Sequence, residues 1–129
     1  MKCEIKATQN PSLKKSFDFA LRIIKLYQHL STKEKEFVLS KQILRSGTSI
    51  GANLEEAHGA QSDSDFQAKV SIVYKEARET SYWLRLLKAA NYMTEKQFAS
   101  IHSDCEELVK LTSSIQFTMK NKLNERKTK

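Results

Sequence analysis

The sequence has little punctuation. Three glycines and one proline in 129 residues leave few places for tight turns, which argues against a fold of many short strands. No stretch alternates apolar and polar residues as a half-buried strand would. Cysteine is scarce as well. Cys3 and Cys105 form no CxxC pair and no zinc-ligand spacing, and two thiols do not make a disulfide framework. Reduced thiols in a cytoplasmic protein are the simpler expectation. No run of about 18 apolar residues exists, so no membrane-spanning helix is expected. The opening residues Met1-Lys-Cys-Glu-Ile-Lys6 lack the apolar centre of a signal peptide.

Chemistry-bearing motifs are equally sparse. No Ser-His-Asp or Cys-His pairing can be argued from spacing, and there is no Gly-rich phosphate loop. Glu55-Glu-Ala-His58 is a Glu-x-x-His, half of a di-iron bundle site. Leu26 stands three residues before His29 and Ala99 three before His102, so the second half is missing. Arg22 and His29 are spaced as in some small helical ribonucleases, where arginine steadies developing phosphorane charge and histidine moves a proton. Two basic residues at that spacing are common by chance, and a solvated basic stripe explains them. No enzymatic activity, cofactor, metal site or small-molecule substrate is therefore expected.

What the sequence does have is long helical periodicity. A chain of 129 residues fits one domain. Asn10-Pro11 reads as an N-cap followed by proline at the first helical position. Phe17, Ala20, Leu21, Ile24 and Tyr27 then recur at helix spacing, which predicts helix one over about 11–30. Ser31-Thr-Lys-Glu34 fits a capping box and opens helix two, about 32–58, with Phe37, Ile43, Leu44, Ile50, Leu54 and Ala57 inward. Gly59 suits the residue after its end. Helix three, about 63–90, carries Phe66, Val70, Val73, Ala77, Thr80, Leu84 and Leu87 in a heptad seam, with Asn91 as its stop. Thr94-Glu-Lys-Gln97 is a second capping box. Helix four, about 94–122, carries Phe98, Ile101, Cys105, Leu108, Thr112, Ile115 and Met119. Residues 123–129 are expected to form a frayed basic tail. The fold class is all-α, an antiparallel up-down-up-down four-helix bundle.

Two further features bear on partners. Apolar residues lie off the seams: Ile23, Leu26, Val38, Leu39, Ile72, Trp83, Leu86, Val109 and Leu111. They exceed what four helices can cover and predict a homo-oligomer. The run from Arg45 to Asn53 places Ser46, Gly47, Ser49, Gly51 and Ala52 in a helical frame. Internal glycines cost about 1 kcal/mol each, which makes sense where another helix approaches closely.

The formal charge is +7 and the pI about 9.4, with the excess at both ends. A positive surface attracts polyanions, phosphate backbone above all. Lys15, Arg22, Lys25 and His29 form one stripe on helix one. Lys75, Arg78, Tyr82 and Arg85 form another on helix three, where arginine with interleaved tyrosine suits phosphate contact and stacking. Glu76 and Glu79 are close enough to pair with those arginines within the helix. Arg78 could instead pair with Glu55 or Glu56 across the contact between helices two and three.

The order Phe17 and Ala20, then Gln42-x-x-Arg45-Ser46-Gly47-x-Ser49-Ile50-x-x-Asn53-x-x-Glu56, then Phe66, Glu76-Ala77 and Glu79 closely resembles the four-helix-bundle proteins encoded within intervening sequences of bacterial 23S rRNA genes. It is similar also to the accessory variability determinant of diversity-generating retroelements. Where many relatives carry Ala-Glu-Gly after the asparagine, this chain has Leu54-Glu55-Glu56-Ala57. The resemblance implies a bundle assembled into a ring-shaped homopentamer, no enzymatic activity, and a basic surface proposed to bind nucleic acid. It marks Arg45, Gly47, Ser49, Asn53, Glu56 and Arg78 as structural. The combined expectation is a cytoplasmic, non-catalytic, oligomeric bundle. It binds RNA or DNA with low sequence specificity through Lys15, Arg22, Lys25, Lys75 and Arg85. A protein-interaction scaffold with no nucleic-acid role is the alternative.

Overall fold

A computed structural model describes residues 10–128. Cys3, the other residues before Asn10 and Lys129 of the basic tail lie outside them. Among the described residues there are four helices and no strand: α1 (Pro11–Thr32), α2 (Leu39–His58), α3 (Asp63–Ala89) and α4 (Glu95–Thr128). Each packs on its neighbours in chain order, and α1 closes the bundle against α4. The pairings fix the direction. Gly51 lies against Ser16 and Gly47 against Ile23, so α1 and α2 run oppositely. Ser71 meets Gln116 while Ser81 meets His102, so α3 and α4 do too. The bundle is up-down-up-down as the short connections require.

Local chemistry explains most of the ends. Asn10 Oδ1 accepts the backbone N–H groups of Ser12 and Leu13 at 3.0 and 3.3 Å, and Pro11 supplies a φ already set for helix. Ser62 Oγ caps α3 through Asp65 N–H. Thr94 and Gln97 form the expected reciprocal box at 3.1 and 2.9 Å. Asn91 ends α3 in the left-handed region (φ 68°).

The start of α2 differs from the sequence expectation. Ser31 and Thr32 belong to α1, their hydroxyls donating back to the carbonyls of Tyr27 and Gln28 at 2.9 and 2.6 Å. With those hydroxyls engaged, no capping box forms at Ser31. Lys35 instead turns the chain at φ 56°, and Glu36 caps α2. Its carboxylate accepts the N–H groups of Val38, Leu39 and Ser40 at 3.2, 3.1 and 2.7 Å. Partial burial would by itself raise the Glu36 carboxyl, but the Ser40, Leu39 and Val38 amides together hold it below its ordinary value. Gly59 does break the chain after α2, but at φ −101° it uses none of glycine's special freedom.

The tail also differs. α4 continues to Thr128 rather than fraying near 122. Asp63, in the first turn of α3, accepts ion pairs from Lys122 at 3.4 Å and from Arg126. Desolvation would by itself raise the Asp63 carboxyl, but the hydrogen bonds and charges of Arg126 and Lys122 together hold it below its ordinary value.

The seams of α3 and α4 form largely as expected, buried from Val70 through Leu87, from Ile101 through Thr112 and at Met119, with Phe66, Phe98 and Ile115 half-buried. The inward face of α1 does not. Leu13, Ser16, Phe19, Ile23 and Leu30 are buried, whereas Phe17, Leu21 and Ile24 are 61, 46 and 37% exposed. Phe37, assigned inward on α2, is exposed before that helix begins. Opposite its basic stripe, helix one is apolar over more than half of its circumference, so periodicity alone cannot choose which part of that wide arc turns inward. The choice is made by α2. A Cβ on Gly47 would sit 2.7 Å from Ile23 Cγ1, so the bare backbone at Gly47 admits Ile23. Ser46, beside it, hydrogen-bonds Thr80 of α3 at 2.9 Å in the core.

Three outcomes follow. Gly47→Ala should lower stability by about 1–3 kcal/mol, as overpacking does. Gly51→Ala should be neutral or mildly stabilising, since a Cβ there meets Ser16 only at ordinary contact, 3.4 Å, and alanine favours helix; urea melts of the two variants check this. Glu36→Ala should cost about 1 kcal/mol, a typical cap. Because the folded carboxyl titrates below its unfolded value, that difference should be full above the ordinary 4.5 and close as pH falls through the folded value; melts across pH 3–7 read it.

Candidate nucleic-acid interface

The two basic stripes meet different fates when the helices pack. On α1, Lys15 pairs with Glu107 of α4. Arg22 donates to Asp104 at 2.6 Å and to the backbone and side-chain oxygens of Ser100 at 3.3 and 2.9 Å. Both cations serve the α1–α4 seam. Exposed pairs of this kind are worth about 0–1 kcal/mol, so a polyanion can still compete for them. Lys25 is exposed and has no carboxylate partner among the described residues. Arg22, Lys25 and His29 border a groove of about 430 Å³ beside Tyr92 and Gln97. His29 Nε2 lies 3.6 Å from Glu34. The Arg22 and His29 side chains thus line one groove, with the Arg22 guanidinium engaged by Asp104 and Ser100.

On α3 the reverse holds. Glu76 and Glu79, the acids expected to neutralise this stripe from within the helix, are both taken by Arg45 of α2. Arg45 Nη1 lies 3.3 Å from Glu76, and Nη2 binds Glu79. The same Glu79 oxygen accepts the indole N–H of Trp83 at 3.0 Å. Lys75, Arg78 and Arg85 are left exposed, and among the described residues none has a carboxylate within salt-bridge reach. Arg78 lies over the Tyr74 ring at 5.7 Å and Arg85 over the Tyr82 ring at 5.8 Å. Together they border a shallow groove of about 490 Å³.

The expected pairing of Arg78 with Glu55 or Glu56 does not occur. Lys69 holds Glu56 at 3.5 Å instead, being closer to the end of α3 that faces it. The other marked residues form a ladder along α2. Ser49 Oγ donates to the Arg45 carbonyl at 2.6 Å, and Asn53 Nδ2 donates to the Ser49 carbonyl at 2.8 Å. Both bonds stay within α2, and of these residues only Arg45 reaches α3, at Glu76 and Glu79.

Sequence reasoning missed one cluster. Ser81 Oγ lies 2.9 Å from His102 Nε2 and 3.1 Å from Glu106 Oε1. Glu106 approaches that same ring nitrogen at 3.4 Å. A hydrolytic relay needs the carboxylate on the other nitrogen, so the arrangement is a seam contact between α3 and α4. Only the packing of two distant heptads brings these residues together. His58 touches Asn10 at 3.4 Å and the edge of Phe66. Among the described residues no group of three or more His, Cys, Asp or Glu is placed to hold a metal ion. Burial pushes the Cys105 thiol up to about 12, aided by neighbouring Glu106 and Asp104, so it stays protonated and unreactive.

The bridge from Arg45 has a direct test. In a double-mutant cycle with Arg45→Met and Glu76→Gln, urea melts should give a coupling of about 0.5–1 kcal/mol. Zero coupling would mean that Arg45 does not hold Glu76.

Comparison with known proteins places this geometry in context. The sequence profile of a family described as "23S rRNA-intervening sequence protein" matches residues 8–114. A solved structure described as a protein with unknown function from the S23 ribosomal protein family, from Bacteroides thetaiotaomicron VPI-5482, is 54% identical. The match covers 81% of this chain and 97% of that one, with a TM-score of 0.80. No curated protein matches.

Proposed function

The chain belongs to the 23S rRNA-intervening sequence protein family, and from that premise we propose a non-catalytic, oligomeric bundle that binds RNA or DNA with low sequence specificity in the cytoplasm. One observation carries the reading. Arg45 engages both acids of the α3 stripe, so among the described residues Lys75, Arg78 and Arg85 have no carboxylate within salt-bridge reach beside two tyrosines, and the one acid lining their groove, Glu79, is already paired. Cations on such a face release counterions when they meet phosphate. Lys15, Arg22 and Lys25 on α1 form a second, weaker contact, because the first two must leave Glu107 and Asp104 to take part.

Oligomerisation is part of the proposal. Phe17, Leu21 and Ile24 lie three and four residues apart on one face of α1 and are exposed. An apolar stripe of that kind marks a contact surface. A ring-shaped homopentamer would cover it by a heterologous contact and would repeat each basic stripe, so that weak contacts sum through multivalency. The same stripe favours the second reading, a protein-interaction scaffold whose charge serves solubility.

Two measurements separate these readings. At low salt the protein should shift both RNA and DNA in gels, with log K falling linearly with log salt at about −0.9 per phosphate contact on duplex. Charge reversal at Lys75, Arg78 and Arg85 should abolish the shift, while reversal at Arg22 and Lys25 should only weaken it. Absence of any shift sinks the nucleic-acid reading and leaves the scaffold. Light scattering should give a multiple of 14.8 kDa, and Leu21→Glu should reduce it; a parent protein of one chain's mass would overturn the oligomer.

A further inference from the structure

Resting on the reading that the α3 face binds nucleic acid, we infer that this face takes unpaired strands in preference to duplex, with bases stacked on Tyr82 and Tyr74. The ligand is a phosphodiester chain whose bases are free, whether RNA or DNA.

The argument begins with the tyrosines. Tyr82 is 48% exposed, so part of its ring is open to solvent. Its edge meets Trp83, with centroids 5.3 Å apart and planes at 63°. Arg85 lies toward its ring at 5.8 Å. Tyr74 repeats the arrangement with Arg78. Tyr74 and Tyr82 are eight residues apart, which spans about 12 Å of helix. The result is two tyrosines lining one groove, Tyr82 exposed and Tyr74 half-buried, each with a guanidinium near its ring, with Lys75 and the Arg45-paired Glu79 in the same groove.

The rings, unlike the cations, favour unpaired bases. Aromatic rings beside a cationic track bind single strands because every free base offers a π-face. In a duplex those faces are already stacked on one another. Duplex readers instead insert a helix into the major groove. α3 is packed by α2 on one flank and by α4 on the other, so it does not stand clear to enter one. The cations alone would suit any polyanion; the paired rings select for bases.

The test uses the full-length protein and labelled oligonucleotides of mixed sequence: single-stranded DNA, single-stranded RNA of the same sequence, and the DNA duplex, all at one salt concentration. Both single strands should bind about tenfold or more tighter than duplex. Tyr82→Ala should weaken single-strand binding by about 5- to 150-fold, the range for losing one stacked base. It should leave duplex binding unchanged, and Tyr82→Phe should bind as the parent does. Since Tyr82 touches Trp83, a second variant, Tyr82→Leu, keeps an apolar contact and removes the flat ring. It carries the comparison if the alanine variant melts early. Equal or tighter duplex binding, Tyr82 variants that bind single strands normally, or competition by poly-glutamate as effective as by single strands of equal charge would each overturn the inference. Loss of all binding on reversing Lys75, Arg78 and Arg85, with Tyr82 variants normal, would leave phosphate contact standing and remove stacking alone. No binding of any probe at low salt would remove both.

Discussion

The fit of Ile23 against the bare backbone of Gly47 governs the rest of this structure. A side chain at position 47 would lie within 2.7 Å of Ile23, so α1 and α2 reach this separation only because nothing is there. That contact sets the rotation of α1 about its own axis. With Ile23 inward, Phe19 and Leu30 follow it into the core, and Phe17, Leu21 and Ile24 are carried outward. The apolar stripe on the outside is thus a consequence of a glycine on the inside of a different helix. The same turn of α2 carries Ser46, whose hydroxyl meets Thr80, and Arg45, which reaches Glu76 and Glu79. One short segment therefore orients α1 and clears the surface of α3.

How far the sequence reveals this depends on which physical signal each element carries. α3 and α4 have strict heptads, and heptads leave one choice of face. Their seams were legible nearly residue by residue, and so was the Thr94–Gln97 box, whose two side chains satisfy each other locally. α1 was not legible in the same way. Its apolar arc is wide enough to offer more than one inward face, and the choice among them is settled by a partner distant in sequence. The start of α2 was obscured for a different reason. Ser31 and Thr32 fit two roles, cap or back-bonded end of the preceding helix. The left-handed Lys35 and the three amides gathered by Glu36 decide between them.

For the candidate interface, the sequence identified the cations but not their partners. Spacing within one helix suggested that Glu76 and Glu79 would quench the α3 arginines. Packing assigns them to Arg45, thirty-odd positions away in the chain. Spacing likewise gave no hint that Glu107 and Asp104 would draw on Lys15 and Arg22. Charge stripes read from a sequence are lists of candidates. Which of them face an open solvent is decided by acids on other helices.

The seam that closes the bundle is its thinnest. α1 meets α4 along a much smaller shared surface than any pair adjacent in the chain, and polar bonds from Lys15 and Arg22 supply part of it. α2, α3 and α4 are joined by broad contacts between neighbours in sequence, which need little loop closure to form. The four helices are therefore unequal in cooperativity. To leave the other three helices, α1 must break its broad face on α2 and only this thin seam on α4. In hydrogen-exchange terms, the amides of α1 should belong to a lower-energy opening than those of α3 and α4. That opening would bare the glycine notch of α2, and with it a second apolar surface that the closed bundle keeps out of water.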